Sequence, residues 1–184
     1  LFEQLSGIRE QVHIPLVLMG YLNPVIQMGV ETFLKKCRET GIDGVIIPDL
    51  PPEEYESVYR DLFNKYGIYH SLLITPHTSV ERIGKIAALS DGFLYMVADA
   101  STTGARDSID QHQIEYFRRM KDSELPVPAL IGFGISSHET FTTACKYAQG
   151  AIIGSAFIKI LGEGGPLDER IGVFVRSILD GSVG

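Results

Sequence analysis

Six short apolar runs most constrain what this chain of 184 residues can fold into. They are "IPLVLMGY" (14–21), "GVIIPDL" (44–50), "YHSLLIT" (69–75), "GFLYMVA" (92–98), "PALIGFG" (128–134) and "AIIGSA" (151–156). Each is nearly continuous in apolar residues, without the alternation of a strand that keeps one wet face. Strands read this way when helices cover both faces of a parallel sheet. The stretches between them carry helix punctuation. "PPEEYESVYRDLFNKYG" opens on prolines and two glutamates and closes on Gly67, and "GVETFLKKCRETG" closes on Gly41 in the same way. "TSVERIGKIAAL" opens on Thr78 and Ser79, while "SSHETFTTACKYA" sets Ser136 three residues before Glu139, the spacing of a capping box. At the front, "LFEQLSGIREQV" places Leu1, Leu5, Ile8 and Val12 on one face of an expected amphipathic helix.

Strict β-α alternation means an α/β fold with a parallel sheet. It leaves an open doubly wound sheet or a TIM (β/α)8 barrel. A full barrel takes about 250 residues. Six units after an orphan helix fit a barrel that covers six of its eight β-α units and lacks the first two strands. No linker or composition shift marks a boundary, so residues 1–184 are expected to form a single barrel domain, N-terminally incomplete, with strand edges exposed where the missing strands would pair.

Charge narrows the partners. Sixteen Lys+Arg against 23 Asp+Glu give −7, with no basic run, which argues against nucleic acid or an anionic membrane surface. A phosphorylated metabolite stays open, because main-chain N–H groups hold phosphate without net positive charge. No apolar run reaches the roughly 18 residues of a membrane span. Cys37 and Cys145 are too few for a disulfide framework and read as small buried hydrophobes, which suits a reducing, cytoplasmic setting. The five histidines form no His-x-His or His-x3-His pair, so no metal is assigned.

Both α/β architectures put chemistry at the carboxyl ends of the strands. Tyr21, Asn23 and Pro24 follow the first run, and Asp49, Pro51 and Pro52 the second. Thr75, Pro76 and His77 follow the third, and Asp99 with "ASTTGAR" (100–106) the fourth. "GFGISS" (132–137) follows the fifth and "GSAFIK" (154–159) the sixth. A dinucleotide fingerprint would need glycine at position 137, which is Ser137. Two glycine-bearing loops in consecutive units, the second opening a short extra helix before a further one over 167–180, instead match the phosphate site of barrel enzymes. Taken singly, each is an ordinary tight turn or N-cap. Asp49 reads as a helix cap or a catalytic acid, with the stiff "PDLPP" favouring a structural turn; Tyr21 and Tyr95 either wall a pocket or fill core.

Five segments in register, "PLVLMGYLNPVIQMGVETF", "GIDGVIIPDLPPEE", "STTGAR", "LIGFGISS" and "GAIIGSAFIKI", resemble strands three to eight of the tryptophan synthase α-subunit family. The resemblance implies a lyase of tryptophan biosynthesis that cleaves indole-3-glycerol phosphate to indole and glyceraldehyde 3-phosphate. It implies no cofactor of its own, and assembly as α2β2 with a β subunit carrying pyridoxal phosphate. By that resemblance Gly132, Phe133, Gly134, Gly154 and Ser155 hold the phosphate, with Gly104 nearby, and Thr103 orients a catalytic carboxylate. Tyr21, Tyr95, Met19, Ile46 and Ile152 line the indole side, and Asn23, Pro24 and Pro51 face the β subunit. The family's acid–base pair is a glutamate ending strand two and an aspartate in the loop after it. No position here matches either, so no catalytic residue is assigned and these 184 residues standing alone are expected to be inactive. The alternatives are another sugar-phosphate barrel enzyme, such as a phosphoribosylanthranilate isomerase, or a non-catalytic barrel kept for partner binding.

Overall fold

The computed structural model describes residues 1–98, 111–132 and 134–181, apart from the side chain of His112. In chain order the elements are β1 (Val17–Met19), α1 (Leu22–Met28), α2 (Val30–Thr40), β2 (Gly44–Ile46) and α3 (Pro52–Glu54). A π-turn (Tyr55–Tyr59) runs into α4 (Arg60–Tyr66), then β3 (Tyr69–His70), β4 (Leu73–Ile74), α5 (Val80–Leu89) and β5 (Leu94–Val97). After these come α6 (Gln111–Lys121), β6 (Ala129–Gly132), α7 (His138–Cys145), β7 (Gly150–Ile152), α8 (Ser155–Leu161) and α9 (Leu167–Asp180). The chain forms two compact units, one of Leu1–Leu73 with Glu81–Leu94, the other of Ile74–Val80 with Tyr95–Gly184.

The first unit holds a three-stranded sheet, β1-β2-β3, parallel throughout, with Val17 opposite Gly44 and Gly44 opposite Tyr69. Prolines trim its strands. Pro15 and Pro48 have no N–H to give a ladder, and β1 and β2 lie just inside them. Leu34, Cys37, Val45, Phe63 and Ile83 are buried at its core. β1 is the sheet's edge, and its outward residues Val17 and Met19 are 39% and 54% exposed. Burial pushes the Cys37 thiol up to about 12, which leaves it an inert hydrophobe.

Two expectations fail in this unit. The front is not an amphipathic helix but a series of turns ending in a 3-10 turn (Ile8–Glu10), because Gly7 adopts φ +76° and breaks the helical repeat. Arg9 anchors the segment instead, donating from Nε to the Gly41 carbonyl (2.6 Å) and from Nη1 to the Ile14 carbonyl (2.7 Å), and pairing with the Asp43 carboxylate. The run 69–75 is also not one strand. The Ser90 hydroxyl accepts the Leu72 N–H (3.0 Å) and the Ser71 hydroxyl accepts the Phe93 N–H (3.3 Å). Two side chains therefore take over ladder positions, and the run divides into β3 and β4, which belong to different sheets.

A four-stranded sheet, β4-β5-β6-β7, belongs to the second unit apart from Leu73 and Leu94. β6 and β7 are parallel and in register, Leu130 to Gly150, Ile131 to Ala151 and Gly132 to Ile152. Gln149 reinforces that register by clasping Ala129 from both sides. Its N–H donates to the Ala129 carbonyl (3.1 Å), and its side-chain oxygen accepts the Ala129 N–H (2.7 Å). Met96, Phe117, Ile131 and Ala144 are fully buried here. Cys145, expected inside, is exposed: it is the last residue of α7 and turns away from the face that buries Thr140 and Ala144. α9 spans the 167–180 stretch expected to form a further helix.

Candidate functional site

Strand register builds the site in the second unit. Gly132 and Ile152 are partners across β6 and β7, so Gly134 and Gly154, each two residues further on, leave adjacent strands at the same height. Adjacent strands run about 4.8 Å apart. A Cβ at Gly134 or Gly154 would meet nothing within 4 Å, so both face open volume. Gly134 is required by its φ of +76°, which a side chain disfavours. Gly154 is the N-cap of α8 and offers no side-chain cap; the first bond of that helix runs from the Ile158 N–H to the Gly154 carbonyl (3.0 Å). The N–H groups of Ser155, Ala156 and Phe157 thus have no intrahelical acceptor. They form the positive end of α8, beside Gly134.

Gly132 answers a packing need. A Cβ there would lie 2.5 Å from two ring carbons of Tyr95, whose side chain is buried. This glycine makes room for a tyrosine ring. The Gly132 carbonyl accepts the Ala98 N–H (3.0 Å), and the buried Gln113 amide donates to the Ala98 carbonyl (3.2 Å), which pins the end of β5 beside it. Ile152 is half-buried. Thr103, Gly104 and Phe133 lie outside the described residues.

The start of α7 also departs from expectation. Its cap is Ser137 with Thr140, not Ser136 with Glu139. Ser137 has the extended backbone an N-cap needs (φ −139°, ψ 166°); its hydroxyl accepts the Thr140 N–H (3.3 Å), and the Thr140 hydroxyl accepts the N–H groups of Ser137 (3.0 Å) and Ser136 (3.1 Å). The N–H groups of Ser136, Ser137 and Thr140 are therefore already taken at the start of α7. Ser137→Ala is expected to lower stability by about 1 kcal/mol in urea denaturation, with α8 unaffected. A cleft of about 800 Å³ between the start of α7 and the length of α9, lined by His138, Ile160, Arg170 and Phe174, touches none of the strand-end glycines.

In the first unit the carboxyl ends of β1 and β2 are joined. Met19 is the register partner of Ile46, and the Gly20 N–H donates to the Ile46 carbonyl (3.1 Å). Ile46 is buried, whereas Met19 and Tyr21 are exposed, Tyr21 by 69%. Asn23 and Pro24 are exposed on the first turn of α1, and Pro51 is exposed at the N-cap of α3. Of the two roles open to Asp49, the geometry selects capping, but of a distant helix: its Oδ1 accepts the N–H of Leu22, the first residue of α1 (2.8 Å). The sequence held a signal for this, since a tyrosine at the N-cap leaves a helix start in need of an outside acceptor. Among the described residues no group of three His, Cys, Asp or Glu is placed to hold a metal, and no helix is long and apolar enough to cross a membrane.

Comparison with known proteins bears on this arrangement. The family described as Tryptophan synthase alpha chain matches residues 1–174. The chain is 53% identical over 178 residues to the tryptophan synthase alpha chain of Christiangramia forsetii, covering 97% of this chain and 69% of that one. It is 56% identical over 165 residues to that of Flavobacterium johnsoniae, covering 90% and 65%. The chain spans about two thirds of the length of these curated relatives. A solved structure of the tryptophan synthase a2b2 complex from Pyrococcus furiosus superposes with a TM-score of 0.85 at 32% identity, covering 97% of this chain and 72% of that one. The A-subunit from the same organism gives 0.85 at 30%, covering 97% and 71%. The parallel sheets with their alternating helices accordingly belong to the α/β class of the TIM (β/α)8 barrel. The chain belongs to the tryptophan synthase alpha chain family.

Proposed function

We propose that residues 1–184 form one barrel domain of a cytoplasmic lyase that cleaves indole-3-glycerol phosphate to indole and glyceraldehyde 3-phosphate. The observation that carries this is the pairing of Gly134 with the N-terminus of α8 at one height on adjacent parallel strands, both facing open volume. Main-chain N–H groups there would take the phosphate oxygens, with Ser155 adding a hydroxyl. The cleavage is a retro-aldol: carbon 3 of the indole ring gains a proton, the glycerol hydroxyl loses one, and the carbon–carbon bond between them breaks. It needs an acid and a base at strand ends. Asp49 is spoken for as a helix cap, and no other residue described here stands in the positions the family uses. These residues therefore bind and orient, and a polypeptide of these residues alone is expected to release no indole. Indole would pass to a tryptophan synthase beta subunit in an α2β2 assembly, with Asn23, Pro24 and Pro51 on the contact face.

Titration with indole-3-propanol phosphate tests the reading. Saturable binding that Gly134→Val abolishes is expected, because a β-branched residue cannot take φ +76° and would fill the open volume. Tighter binding of a phosphoribosyl anilide would favour the isomerase instead, and measurable indole release by residues 1–184 alone would overturn the assignment of the acid–base groups.

A further inference from the structure

The start of α1 is held from outside the helix. Tyr21 occupies its N-cap and makes no side-chain cap bond. A phenol carries its oxygen at the far end of the ring and cannot fold back onto the first turn, as serine or aspartate does. Asp49 supplies the missing acceptor across 27 residues of sequence, taking the Leu22 N–H at 2.8 Å with a carboxylate that also suits the positive end of the helix. α1 has seven residues and buries only Val25. A helix that short has little stability of its own. Its position therefore depends on its ends, and this bond fixes one of them.

We infer that Asp49 is a positioning residue for the partner face. The loop after β2, which carries Pro51, is tied through Asp49 to the helix that carries Asn23 and Pro24, so the exposed residues of both loops are presented as one surface to the beta subunit. The inference rests on the proposed assembly. Outsourcing the cap also frees position 21 for an aromatic ring, which no self-capping residue could provide.

The test uses the chain with the tryptophan synthase beta subunit and four variants, D49A, D49N, N23A and P51A. Calorimetry gives the affinity for the beta subunit, amide exchange reports the Leu22 N–H, and binding of inorganic phosphate reports the glycine loops. D49A is expected to weaken the beta subunit about tenfold and to expose the Leu22 amide, with phosphate binding unchanged. D49N keeps an acceptor and is expected to restore both to within about threefold. D49A affinity equal to the parent's, while N23A or P51A weakens binding, overturns the role of Asp49 and leaves the partner reading standing. So does a folded D49N that fails to rescue. Unchanged affinity in N23A, P51A and D49A together overturns the partner reading and this inference with it.

Discussion

Gly132→Ala is expected to destabilise the chain by about 1–3 kcal/mol, and shrinking Tyr95 is expected to relieve it. The added Cβ would sit 2.5 Å from two carbons of the Tyr95 ring, well inside van der Waals contact. The ring cannot swing aside, because only 5% of Tyr95 is exposed and the end of β5 is tied to Gly132 through the Ala98 N–H. Tyr95→Leu alone leaves a cavity where part of the ring was and costs stability in its own right. Joined with Gly132→Ala, it gives the new methyl a place. Urea denaturation of the parent, both single variants and the double variant should return a coupling of about 1 kcal/mol or more in favour of the double. Additive losses would show that the ring is not what requires glycine at 132.

A second large effect concerns acid. His70 is fully buried on β3, between the rings of Tyr55 (centroids 4.4 Å apart) and Phe63 (5.3 Å), and neither imidazole nitrogen has a hydrogen-bond partner among the described residues. Burial lowers its pKa from 6.5 to about 4. Between those values the unfolded chain binds a proton that the folded chain refuses, so stability is full above about pH 6.5 and falls as the pH drops towards 4. The loss reaches about 3 kcal/mol at the acid end. Asp43 responds in a lower window. Burial raises its pKa, but the Leu16 N–H and the Arg9 guanidinium outweigh that and hold it below the usual range, so its contribution goes only once His70's has gone. His70→Leu removes a buried donor and acceptor that no described residue satisfies. It is expected to match or exceed the parent at pH 7 and to flatten the stability profile between pH 6.5 and 5. A thermal-melt series across that range decides it. A leucine variant that keeps the parent's slope would assign the acid sensitivity to another group.

The sequence was most legible where one residue type does one job. Gly41 and Gly67 end α2 and α4 in the left-handed conformation, as a C′ glycine should. The parallel sheets followed from continuous apolar runs, because that pattern reports burial on both faces whichever strand pairs with which. It failed where a side chain acts at a distance. No periodicity shows that Ser90 will take the Leu72 N–H and end a strand, or that Arg9 will hold a run of turns against the end of α2. The Leu1, Leu5, Ile8 and Val12 repeat was genuine, but one left-handed glycine at position 7 outweighed it. At the candidate site the glycines are legible in the sequence, and the packing and φ that require them are not. Gly132 and Gly134 look alike in sequence, yet one is needed for a neighbouring ring and the other for its own φ. Separating them takes the packing around β5, which the spacing of two glycines does not contain.

The register of β6 and β7 also bears on which length changes this family can tolerate. Gly134 and Gly154 stand level because β6 and β7 pair in this register, with Gln149 clasping Ala129 where the pairing begins. A residue inserted at 163–166, in the connection between α8 and α9, lies downstream of both glycines and leaves them level. One inserted between α7 and β7 that slipped the pairing by a single step would offset one glycine from the other by about 3.3 Å and turn each β7 side chain to the opposite face. Insertions and deletions among relatives should therefore gather after α8 and be absent from residues 146–149.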